Sequence, residues 1–393
     1  MNISRYLAPL LVAPTLTFAQ PSFAQNTEPD LNQTLTMYVK PSVVRIVSIC
    51  NTDYVWKYQE NSDEFEIIPH NLSFIGTGFI INPNGYIVTS SKVFESKDDC
   101  RDSLVRNIKN SIDRKSLQEV NPEDIKIQDE DLDYEQKLYL PYSSNNPVIF
   151  ENDKPLEVKN SGRDFGKPFE VSKDVAVVKV ALRNAPVLKL GDSSQVEIQD
   201  SILMVGYPNA DLKEDLTEKS YLEASVQEGR ISNPNKEMRG GYPVLQIDIR
   251  ASDGNAGSPL IDNKGEVVGI ITSKTDENGT SLTDIPLAIP TSTIQEFIRQ
   301  SGAINQQGET DELYRDGLNN LWKGSYQEAK AKFLKVKALY PFHSEVDRLI
   351  SEIDQIEAER WAKPWKNPTY IFTVGLILAA GVVGVVAYFL LKQ

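Results

Sequence analysis

Four side chains carry all the imidazole and thiol of this 393-residue chain: His70, His343, Cys50 and Cys100. Hydrolytic chemistry near neutral pH commonly uses an imidazole as proton acceptor, because it titrates between about pH 5 and 8. Neither histidine has metal-ligand neighbours, so each reads as an ordinary polar or structural histidine. Two cysteines are too few for a disulfide scaffold or a thiolate zinc site. Either Cys50 and Cys100 pair, closing a loop of about 51 residues worth about 4 kcal/mol in the chain-entropy model, or they are two buried free thiols. The glycine-rich stretches are turns, without the strand–glycine-loop–helix context that cradles phosphates. No metal, nucleotide or other cofactor is expected.

The elements that must position any site are short and β-rich. Val43–Cys50, Thr77–Asn82, Tyr86–Thr89, Val175–Val180, Ser201–Val205, Val244–Ile249 and Val267–Thr272 are rich in Val and Ile and bounded by turn residues. Asn82-Pro83-Asn84-Gly85 and Asp262-Asn263-Lys264-Gly265 are tight-turn sequences. This spacing predicts an all-β barrel or sandwich closed by a short helix, Thr291–Arg299. Between Ser96 and Glu170 the texture changes to a long polar stretch with 17 acidic and 12 basic residues. It reads as a solvated insertion with a helix near Ser103–Val120.

Three segments, GTGFIINPNGYIVTSSKVF (Gly76–Phe94), SKDVAVVKV (Ser172–Val180) and GNAGSPLIDNKGEVVGIITS (Gly254–Ser273), together resemble the trypsin-like serine peptidases of the HtrA/Deg type. LKLGDSSQVEIQDSILMVGYP (Leu188–Pro208) and LAIPTSTIQEFI (Leu287–Ile298) fit the same family texture. The resemblance implies a double β-barrel over residues 37–300, with 96–170 as the insertion. It also implies a catalytic Ser–His–Asp constellation. Here the positions of that triad hold Lys92, Asp174 and Ala256. Alanine has no nucleophilic atom, and an ordinary lysine is a cation at pH 7 rather than a base. The family's backbone oxyanion hole would fall on Gly254 and Ala256. Arg250 falls at the base of the specificity pocket, where it either fills the pocket, favours an acidic side chain or lies on the surface. Lys92 is expected to pair with Asp174 in place of the lost imidazole. In the rival arrangement a desolvated Lys92 serves as base to Ser258, an alternative nucleophile two residues past the lost one.

Residues 1–24 read as a secretory signal, with Arg5, an apolar stretch and a cleavage site after Ser22-Phe23-Ala24. Tyr370–Leu391 holds no charged residue, and as a helix it spans about 33 Å, enough for a bilayer core. The expected anchor is a transmembrane helix over 369–391, with the body outside the cytoplasm in a periplasm, a lumen or at a cell surface. Between barrel and anchor, after a linker at Ser301–Gly308, residues 311–360 are helical by period. They resemble a single tetratricopeptide repeat, with Gly317, Gly324, Tyr326, Ala329, Phe333 and Pro341 at the family's offsets. The formal charge of −14 argues against nucleic acid, whose phosphates demand a basic face. The sum of these readings is a mainly β plus α protein: double barrel, short helical repeat unit and C-terminal membrane helix. Its expected role is that of an exported pseudoprotease that binds other envelope proteins or extended peptides. The alternative is a divergent active serine endopeptidase of the cell envelope.

Overall fold

In the computed structural model the described residues are 30–57, 65–93, 97–116, 127, 132–141, 149–151, 157–161, 173–208, 217, 220, 222–238, 240–250, 252–272, 286–365, 378 and 382. The expected signal (1–24) and nearly all of the expected anchor (369–391) lie outside them. Among the described residues no helix is long and apolar enough to cross a membrane.

The chain opens with α1 (Leu31–Val39), capped by the Asp30 carboxylate, which accepts the Gln33 N–H at 2.8 Å. A seven-stranded antiparallel sheet follows, in the order β5-β4-β1-β2-β3-β7-β6. Its strands are β1 (Val43–Lys57), β2 (Phe65–Asn82), β3 (Tyr86–Thr89), β4 (Asp133–Tyr139), β5 (Ile149–Glu151), β6 (Glu157–Ser161) and β7 (Ala176–Lys179). Helix α2 (Lys97–Ser116) lies between β3 and β4 in sequence. The two edge strands, β5 and β6, are separated in the chain only by residues 152–156, a reach of about 20 Å at most. The sheet therefore has to roll up on itself. A second, closed barrel is built from β8 (Ser201–Gly206), β9 (Ser225–Glu237), β10 (Pro243–Ile247), β11 (Pro259–Ile261), β12 (Val267–Thr272) and β13 (Leu287–Pro290). Each barrel has its own apolar filling: Ile46, Ile80, Ile87 and Val178 in the first, Ile202, Ile231, Leu260 and Ile271 in the second. A third cluster, including Phe79, Val88, Leu203, Val205, Val267 and Ile270, takes residues from both.

The segment read as a polar insertion is not merely surface. It supplies β4, β5 and β6, and β4 pairs with β1 from Arg45↔Tyr139 to Asn51↔Asp133. Strand β4 buries Gln136 and Leu138 while leaving Asp133 and Glu135 exposed. That one-sided pattern is what a barrel wall requires. The expected helix near Ser103–Val120 starts earlier, at Lys97. The structure also joins Cys50 to Cys100 in a disulfide, with Cα atoms 5.9 Å apart.

After α3 (Thr291–Gln300) come α4 (Glu309–Trp322), α5 (Tyr326–Leu339) and α6 (Val346–Trp365). The Phe333 ring of α5 lies against Gly317 of α4, where even a Cβ would fall 2.5 Å from the ring. Ser301–Gly308, expected as a linker, is instead pinned to the first barrel. Asn305 Nδ2 donates to Ile81 O and Leu188 O at 3.0 and 2.8 Å, and its Oδ1 accepts the Leu190 N–H at 2.9 Å. The Asp311 carboxylate accepts the Gly308 N–H that opens α4 and the Val187 N–H of the barrel, both at 2.8 Å. Helix α1 fastens the other side: Leu35 and Val39 enter the inter-barrel core, while Met37 and Tyr38 pack on the helices. The helical unit is thus docked on the barrel rather than strung from it.

Two buried ionisable groups mark this docking. Burial pushes the Asp311 carboxyl up to about 6 despite its N–H donors. Burial pushes the His343 imidazole down to about 3; its ring lies 4.3 Å from that of Tyr314. The Tyr314 hydroxyl in turn donates to Met37 O of α1 at 3.1 Å. Asp311→Asn offers one acceptor to two N–H donors, so it should cost about 1–3 kcal/mol of unfolding free energy, read by urea denaturation. His343 has a folded pKa below its unfolded one. Its contribution is therefore fully present above about pH 6.5 and lost as pH falls toward about 3. Asp311, with a raised folded pKa, acts in the opposite sense between about pH 4 and about 6. A His343→Phe variant should lose the first slope while retaining the second, which a stability profile from pH 7 to 3 would separate.

Candidate functional site

The sequence-predicted triad positions converge where the two barrels meet. Lys92 lies in a 3-10 turn, Ser91–Val93, just past β3 and is half-buried. Asp174 precedes β7 and has no exposed surface. Ala256 follows a second 3-10 turn, Asp253–Asn255, in the loop between β10 and β11. It is 3% exposed and its methyl joins the apolar filling of the first barrel.

The Asp174 carboxylate is surrounded by donors. Ser90 Oγ and Ser91 Oγ donate to its Oδ1 at 2.6 and 2.9 Å, and the Lys92 backbone N–H approaches the same oxygen at 3.3 Å. Thr272 Oγ1, on β12 of the second barrel, donates to Oδ2 at 2.6 Å. The expected ammonium–carboxylate pair is absent from the ion pairs of the described residues: Lys92 meets Asp174 through its backbone, not its Nζ. The physical reason is that three hydroxyls and an N–H already satisfy the buried charge. Burial, with the charge of Asp174 adding to it, pushes the Tyr242 phenol up to about 12.

A second clasp is centred on Thr77 of β2. Its N–H donates to Ala256 O at 2.8 Å and its hydroxyl to Gly254 O at 3.1 Å. The same hydroxyl accepts the Tyr207 N–H at 3.0 Å, and Thr77 O accepts from Thr89 Oγ1 at 2.7 Å. Gly257 makes this approach possible. Its φ is +83°, and a Cβ there would lie 2.2 Å from Thr77 O and 2.6 Å from Ser90 N.

The remaining predicted residues fall as follows. Gly254 and Ala256, the expected oxyanion-hole positions, are both buried, and the Asn255 N–H between them is spent on Ser252 O at 2.9 Å. Ser258 is fully buried, and a Cβ on Gly206 would lie 2.0 Å from its Oγ. That hydroxyl has no hydrogen-bond partner among the described residues and packs toward β8. Arg250 is exposed just after β10, so it does not fill an interior pocket. His70 is buried on β2, with Nδ1 3.1 Å from Asn107 Oδ1 of α2, and His343 sits in the turn between α5 and α6. Neither belongs to the elements that gather around Asp174.

The model of the trypsin-like peptidase domain matches residues 76–270. This stretch, just under half of the chain, is similar to the trypsin-like peptidase domain, and the relatives it resembles are of the HtrA type. A probable periplasmic serine endoprotease DegP-like of Pseudomonas putida is 34% identical over 99 residues, covering 25% of this chain and 18% of that protein. A serine protease HtrA-like of Staphylococcus epidermidis is 26% identical over 195 residues, covering 44% and 31%. The match thus spans under a third of each of these relatives. Among solved structures, Deg5 shares 20% identity with a TM-score of 0.38, over 68% of this chain and 91% of that one. The HtrA-type protease AlgW with decapeptide shares 19% with a TM-score of 0.42, over 68% and 66%.

Sequence reasoning about this peptidase domain found Lys92, Asp174 and Ala256 but missed Thr77, Ser90, Ser91 and Thr272. The one available signal was the hydroxyl pair in Thr89-Ser90-Ser91-Lys92, directly before the histidine position. Gly257→Ala forces a left-handed φ and a clash on the Thr77 clasp. It should cost about 3 kcal/mol or more in equilibrium unfolding. Gly302→Ala, at a positive φ with open space around it, should cost about 1 kcal/mol.

Proposed function

We propose that this chain is an exported, membrane-anchored pseudoprotease that binds or scaffolds other envelope proteins without cleaving them. The observation that carries the reading is the state of the Asp174 carboxylate. In a working triad that group orients an imidazole. Here Ser90, Ser91, Lys92 N and Thr272 engage it, while Ala256 presents a buried methyl at the nucleophile position. A site in this state has no nucleophile and no base.

Export is supported by the periplasmic relatives and by the signal-like residues 1–24. Anchoring rests on the uncharged run Tyr370–Leu391, which begins five residues after α6 ends. The partners would be exported or membrane proteins, or extended peptides added to a strand edge. The tetratricopeptide-like helices offer a second contact surface.

The competing reading is a divergent serine endopeptidase with Lys92 as base and Ser258 as nucleophile, and the relatives' names favour it. The burial of Ser258 against Gly206 speaks against it, because a nucleophile has to reach the substrate before its pKa matters. The full-length chain should take no fluorophosphonate label and leave casein intact. The Lys92→His/Ala256→Ser double variant should stay inactive as well, since Ser90 and Ser91 already hold the oxygen an imidazole would need. Covalent labelling of the natural chain that vanishes in Ser258→Ala would sink the pseudoprotease reading.

A further inference from the structure

Helix α2 covers a patch of the first sheet that belongs to neither barrel's filling. Its 20 residues include ten charged ones, and Cys100, Leu104 and Ile108 are its fully buried side chains among those described. They meet Cys50, Ile127 and Leu132, with Leu72, Phe74 and Tyr134 of the sheet packed against them. Cys50 lies on β1 directly between Leu72 of β2 and Tyr134 of β4 in the register. The disulfide therefore runs from the middle of the patch to the first turn of the helix. One further polar tie, His70 Nδ1 to Asn107 Oδ1 at 3.1 Å, holds the middle of α2.

A helix this charged does not persist in water by itself; it needs a packed face. Among the described side chains of α2, only Cys100, Leu104 and Ile108 are fully buried, with Val105 packed beside them, and the cross-link adds to that docking. Closing a loop of about 51 residues is worth roughly a thousandfold for a fully unfolded chain in the chain-entropy model, which is the upper bound for an opening in which the sheet stays folded. Both sulfurs are fully buried, so a reductant reaches them only when the helix opens.

We propose that α2 is a redox-latched cover over the apolar patch formed by Leu72, Phe74 and Tyr134. In the oxidised chain the cover is closed. A dithiol reductant, protein or small molecule, attacks the disulfide during a transient opening. The Cys50–Cys100 bond breaks, two electrons pass from the dithiol, which becomes a disulfide, and its two protons end on the Cys50 and Cys100 sulfurs. Without the cross-link α2 stays open most of the time and the patch is uncovered. The latch is independent of whether the peptidase domain cleaves anything.

Hydrogen exchange of the full-length chain, folded oxidised and then treated with dithiothreitol, tests this. Alkylation and intact mass establish that both thiols are free. The α2 amides should exchange on the order of a hundredfold to a thousandfold faster after reduction, with the second barrel and α4–α6 unchanged. A Cys50→Ala/Cys100→Ala variant should show the fast α2 exchange without reductant. Unchanged α2 protection in the reduced chain overturns the latch and leaves a passive staple. Faster exchange across both barrels overturns it too, because the cross-link would then support the whole domain rather than one cover.

Discussion

A carboxylate without exposed surface has to be ringed by donors, and the arrangement around Asp174 is the constraint from which the rest of the peptidase domain follows. Its donors come from two directions: Ser90, Ser91 and Lys92 from the turn after β3, and Thr272 from the second barrel. To meet this demand the two barrels must hold one register against each other. Thr77 and Gly257 set that register a few residues away, and the mixed apolar cluster of Phe79, Val88, Leu203 and Ile270 fills the space behind them. In a catalytic triad the same junction would carry a mobile proton and an open cleft. Here the Asp174 carboxylate is held by three hydroxyls and an N–H, which ties the turn after β3 to the second barrel.

The same logic extends to the helices. Val187 and Leu188, which Asp311 and Asn305 grip, lie only a few residues past β7, the strand that Asp174 introduces. Helix α1 inserts into the inter-barrel core on one face and the helical core on the other. The barrel, the pinned segment Ser301–Gly308 and the helices therefore form a continuous packed body.

Much of this was legible in the residues. Strands β3, β7, β8 and β12 follow from runs of Val and Ile between turn signals, and the triad positions follow from three ordered motifs. Strands β4 to β6 were hidden because their segment is highly charged and only one face of β4 is apolar. Helix α1 had a readable signal, Asp30 three residues before Gln33, but its apolar face is short and split between two cores. Apart from the Ser90-Ser91 pair before the histidine position, the hydroxyl donors could not be read. A serine or threonine looks the same in sequence whether it meets water or a carboxylate brought close by the fold. The expected Lys92–Asp174 pair failed for that reason: charge complementarity is visible in a sequence, whereas competing neutral donors are not.

The central claim is that Asp174 has become a structural group, and equilibrium unfolding of Asp174→Ala tests it most directly. Truncation would strand the hydroxyls of Ser90, Ser91 and Thr272 away from water. The predicted loss is about 3 kcal/mol or more in urea denaturation, since each buried donor left unpaired costs about 1–3 kcal/mol. A variant whose stability stays within about 0.5 kcal/mol of the natural chain, the range of an ordinary surface substitution, would contradict the account.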